Sequence, residues 1–127
     1  MSAVTPDSSR HDYDGRRFTP VGDHPGDLPG DDRPIALWRQ DGDTLVARFS
    51  GGPVLAGFLL GTVGPDGVVD AAYGQLLAGD STGGPTVQVG RTITTPEVLP
   101  DGRLRMREEW HRTDGSSGVS YLEELLP

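Results

Sequence analysis

"LRMREEWHRTDG", Leu104 to Gly115, decides the fold. Read as an extended strand, it places Leu104, Met106, Glu108 and Trp110 on one face. Arg103, Arg105, Arg107, Glu109 and His111 take the other. Apolar residues at every second position are the signature of a strand with one face in a core. "TDG" (Thr113 to Gly115) then turns the chain into a hairpin. Glu108 breaks the apolar face, and a carboxylate there must be paired, hydrogen-bonded or protonated.

Working outward, the same grammar repeats. "IALWRQ" (Ile35 to Gln40), "TLVARF" (Thr44 to Phe49), "VLAGFLLGTV" (Val54 to Val63), "VVDAAYGQLL" (Val68 to Leu77), "PTVQVGRTITT" (Pro85 to Thr95) and "VSYLEELL" (Val119 to Leu126) read as strands. They are separated by turn signals rich in Gly, Asp and Pro. "PEVLPDG" (Pro96 to Gly102) reads as one of the turns. "YDGRRF" (Tyr13 to Phe18) reads as a short first strand, followed by a long loop over Thr19–Pro34. Residues 1–12 are polar and read as a disordered tail, leaving one domain over 13–127. No stretch carries a convincing helical period; the last segment also admits a short helix. The fold expected is all-β: a single antiparallel up-and-down barrel of about eight strands, wide enough for one small ligand.

Composition bounds the rest. The chain has 127 residues, a net charge of -8 and no cysteine. The acidic balance argues against nucleic acid and anionic membrane surfaces as partners. The absence of thiols excludes disulfides and thiolate chemistry. No signal-peptide pattern opens the chain, and its longest apolar run is too short to span a bilayer. A soluble, cytoplasmic protein is expected. "VLAGFLLGTV" is apolar on both faces, which points to a possible homodimer contact, and Gly57 and Gly61 within it to bends or close backbone approach.

Most motif matches dissolve on inspection. "GDSTG" (Gly79 to Gly83) matches a nucleophile elbow at Ser81 but lacks the strand–turn–helix context. "GGPTVQVGRT" has the wrong glycine spacing for a phosphate loop. His11, His24 and His111 lie far apart in the chain, so no metal site is expected. No cofactor is expected. Arg103, Arg105 and Arg107 read as a solvated charged face, with cross-strand pairs to Glu123 or Glu124 worth little.

The polar residues on inward faces carry more. Trp38, Phe49, Gln75, Met106 and Trp110 are the candidate ligand-binding residues; Glu108 and Tyr73 are the candidate catalytic pair. Two readings of Glu108 stand open. It is a satisfied core group, held by Arg91, Arg112, a Tyr, a Thr or backbone amides, or it is a polar group in a pocket that orients a ligand or moves a proton. Either implies an abnormal pKa.

Three stretches, "YDGRRFTPV", "TTPEVLPDGRLRMREEW" and "SGG…GFLLGTV…DG", resemble a family of small bacterial proteins often labelled N-acetylglutamate synthase. The resemblance covers most of residues 13–126 and implies an avidin-like or lipocalin-like (calycin) barrel. Where that family carries an aromatic-Gln-His segment, this chain has "YGQ" (Tyr73 to Gln75). No Arg/Gln-x-x-Gly-x-Gly/Ala loop opens a helix here to hold acetyl-CoA pyrophosphate, so acetyl transfer is not expected. Three functions follow: a barrel binding a small hydrophobic molecule, a cofactor-independent cyclase or isomerase of bacterial biosynthesis using Glu108 and Tyr73, or a barrel filled by its own side chains.

Overall fold

The computed structural model describes residues 12–22, 33–79 and 82–126. The N-terminal tail, much of the long loop, His11, His24 and Ser81 lie outside the described residues.

Eight strands run in chain order: β1 (Arg17–Val21), β2 (Ile35–Asp41), β3 (Thr44–Gly51), β4 (Val54–Val63), β5 (Val69–Leu77), β6 (Thr86–Val98), β7 (Leu104–Arg112) and β8 (Ser117–Leu125). Each pairs antiparallel with the next, and β1 pairs with β8, so the sheet closes into an up-and-down barrel. Closure gives every strand a neighbour on both sides. The β7–β8 register sets Arg105 opposite Glu123 and Glu108 opposite Ser120.

Two boundaries differ from the sequence reading. The first strand is Arg17–Val21, not Tyr13–Phe18. Tyr13 instead precedes a turn through Gly15, whose φ of 80° suits glycine. And β6 runs through Pro96 to Val98, where a turn was expected. The β5–β6 ladder ends at Val69 opposite Thr94. Pro96 lies opposite Met106 on the β7 side only. Its missing N–H therefore falls on an edge that β5 has already left, where proline is tolerated.

The core sits toward one end of the barrel. Tyr13, Phe18 and Trp38 pack there, with ring centroids 5.4 Å apart for Tyr13–Trp38 and 4.5 Å for Phe18–Trp38. Tyr13 donates its hydroxyl to the Gly67 carbonyl at 2.5 Å and its N–H to Gln40 Oε1 at 2.8 Å. Burial pushes the Tyr13 phenol up to about 12, so it stays a neutral donor over the physiological range. The residues before β1 thus plug one end.

The stretch Val54–Val63 is apolar on both faces because both are used. Val54, Leu59 and Val63 are buried, while Phe58 and Leu60 are exposed outside. Gly61 marks a close approach: a methyl built there would stand 2.5 Å from the Asp70 carbonyl oxygen.

The charged face of β7 is not uniformly solvated. Arg105 is buried: it donates to Glu123 at 2.5 Å and to the Gly22 carbonyl at 3.1 Å, and its guanidinium lies 4.1 Å from the Tyr121 ring centroid. The expected cross-strand pair to Glu123 is present, but as a buried pair rather than a surface one. Glu124 closes the barrel nearby, accepting from Arg16 at 2.8 Å and from the Leu104 N–H at 3.0 Å.

Candidate functional site

Inward-pointing side chains fill the plugged end and leave a cavity of about 410 Å³ toward the other. That end is where β2 begins and β7 ends, since Pro34, Phe49, Gln75 and Arg112 all line the space. The volume falls within the roughly 300–1,000 Å³ of small-molecule sites. The expectation of a barrel filled by its own side chains is therefore not met.

Six of the seven sequence-derived candidates face this cavity: Trp38, Phe49, Tyr73, Gln75, Glu108 and Trp110. Met106 does not. It is fully buried in the core, opposite Pro96 and Leu122. Strands of a closed barrel tilt against its axis, so residues on one face of one strand descend through different depths. Met106 belongs to the plugged end; Glu108 and Trp110 lie farther along.

Glycines on the inner face make room for the aromatic walls. A methyl at Gly118 would stand 2.5 Å from the Trp110 ring, and one at Gly57 would collide with the Phe49 ring. Tyr73 lies opposite Gly90.

Polar groups are few and mostly paired with one another. Gln75 donates to Gln88 at 2.9 Å, and the Thr92 and Thr94 hydroxyls share a bond of 3.0 Å. Glu108 accepts from the Ser120 hydroxyl at 3.3 Å. The Arg91 or Arg112 partner weighed for it is absent. Arg91 points outward and pairs with Asp70 at 2.8 Å, while Arg112 lies over the Trp110 ring, 4.4 Å from its centroid. Burial without a counter-charge pushes the Glu108 carboxyl up to about 7, against the smaller opposing effect of the Ser120 bond. The carboxyl thus lines the cavity while hydrogen-bonded to Ser120.

Arg112, Ser120, Thr92 and Leu59 also line the cavity and were not among the sequence candidates. Arg112 was legible in principle. Continuing the alternation of "LRMREEW" two residues past Trp110 puts it on the inner face. Among the described residues no group of three or more His, Asp or Glu is placed to hold a metal ion.

A family model described as "Avidin-like protein" matches residues 11–125. No curated protein and no solved structure matches the chain.

Proposed function

The chain belongs to the avidin-like protein family, and on that premise we propose that it binds a small, largely hydrophobic molecule inside its barrel. The observation that carries this is the cavity itself: about 410 Å³, walled by Trp38, Phe49, Tyr73 and Trp110, with a handful of polar groups at fixed positions. Aromatic walls supply the burial energy, and the few polar groups fix orientation. Glu108 and Gln75 are the orienting groups in this reading.

The chain has two tryptophans, and both line the cavity. Titration with a panel of apolar small molecules is therefore expected to shift or quench the intrinsic fluorescence saturably. Ala47→Phe, which places a ring in the same space, is expected to abolish that response. A response unaltered in the filled variant would locate binding elsewhere.

A second reading is favoured by Glu108. A cavity-facing carboxyl that titrates near neutrality suits a general acid or base. A cofactor-independent cyclase or isomerase would use Glu108 for proton transfer and Tyr73 as donor while the walls hold the substrate in a reactive conformation. Mass spectrometry and chromatography of the recovered ligand separate the two: binding returns it unchanged, catalysis returns a rearranged or cyclised product.

Self-association is part of the proposal. Val46 and Leu60 are cross-strand neighbours on the outside of β3 and β4, and with Phe58 they form an exposed apolar face. A second copy would cover it. Light scattering at micromolar concentration is expected to return a dimer, and Leu60→Glu a monomer; a parent that runs as a monomer refutes the pairing.

A further inference from the structure

We infer that the ligand of this cavity carries a carboxylate, seated on Arg112 against Trp110, with its apolar body directed toward Trp38. This inference rests on the binding reading above and deepens it.

Arg112 is an unusual wall for an apolar cavity. Its guanidinium lies 4.4 Å from the centroid of the Trp110 ring, a cation–π placement that fixes its plane without neutralising its charge. Its Nε is buried and has no hydrogen-bond partner. Buried donors are nearly always satisfied, and one left unpaired in a residue that lines a cavity calls for an explanation. No acidic side chain among the described residues forms an ion pair with it. The nearby Asp114 carboxylate feels the Arg112 charge, but its hydrogen bonds are to the Ser116 amide at 2.9 Å and hydroxyl at 2.6 Å.

The chemistry of the side chain selects the ligand group. A guanidinium presents parallel N–H bonds that match the two oxygens of a carboxylate. Arg112 is partly exposed and lines the cavity, so its guanidinium would present such a pair of N–H bonds to a group bound there. Among the described lining residues Arg112 is the only cation, which fits a monoanion better than a phosphate dianion. Glu108, the only carboxyl in that lining, is neutral below about pH 7. It therefore offers the bound acid a hydroxyl rather than a repelling charge. Trp38, Phe49, Leu59 and Tyr73 line the same cavity, which asks for an apolar body.

Isothermal titration calorimetry of the full chain at pH 6 tests this with 2-naphthylacetate and its uncharged isostere, 2-naphthylacetamide. The acid is expected to bind the parent at least about tenfold more tightly than the amide. Arg112→Gln is expected to bring the acid down to the affinity of the amide, and Arg112→Lys to keep part of the preference. Equal binding of acid and amide to the parent overturns the inference while leaving the cavity reading standing. So does a preference that survives Arg112→Gln. Binding of neither compound overturns both. The parent's acid-to-amide ratio needs no variant, so the test stands even where Arg112→Gln fails to fold.

Discussion

Arg105→Ala is expected to lower the unfolding free energy by about 3–5 kcal/mol, the range for removing one partner of a buried ion pair. Arg105 and Glu123 are 1% and 3% exposed, so neither has water to fall back on. With the guanidinium gone, the Glu123 carboxylate loses its 2.5 Å partner, while Arg103 stays farther off at 3.5 Å. The Gly22 carbonyl loses a donor, and the Tyr121 ring loses the cation lying over it. For a domain of this size the melting temperature should fall by about 10–20 °C. The double change Arg105→Met with Glu123→Leu should recover most of the loss, because it removes both desolvated charges instead of stranding one. Urea unfolding of the two variants beside the parent checks this. A single variant within about 0.5 kcal/mol of the parent would mean the pair behaves as a surface contact.

That pair also marks how far the sequence was legible. The alternation of "LRMREEW" placed Arg105 on the outer face, and the closing hairpin set it near Glu123; both hold. Its burial was invisible, because a strand's period reports which way a side chain points and not what lies over it. Strand count, order and closure were readable because turns fall between runs whose apolar faces alternate. The end of β6 was not. Pro96 reads as a breaker until the register shows that its nitrogen faces an unpaired edge. In the cavity the limit was depth. Period-two patterning assigns Met106, Glu108 and Trp110 to one face, but strand tilt decides that the first belongs to the plugged end and the other two to the cavity. Arg112 enters the sequence reading only as one of the partners weighed for Glu108, not as a binding residue. Its place over Trp110 becomes evident only once the barrel closes.

Glu108 should make the protein less stable as pH rises through neutrality. Its carboxyl is pushed from an ordinary value of 4.5 to about 7 in the folded state. Below the lower value it is neutral in both states and its contribution to stability is fully present. Between the two, the unfolded chain releases the proton while the folded chain keeps it, so stability falls with rising pH. Above about 7 both states are ionised and the loss is complete. A displacement of this size corresponds to at most about 3 kcal/mol. Glu108 as a residue is only partly buried, so a loss of about 1–3 kcal/mol between pH 5 and pH 8 is expected. Glu108→Gln removes the charge and keeps the shape. It should match the parent near pH 5 and exceed it by about that amount at pH 8, in urea unfolding curves taken across the range. Parallel pH profiles for the two proteins would show that the carboxyl is solvated like any surface acid, and the argument for its special environment would fail. A stability gain accompanied by weaker ligand binding or lost turnover would carry a further meaning. Retaining an ionisable group where Gln is more stable is the trade expected of a residue kept for the ligand rather than for the fold.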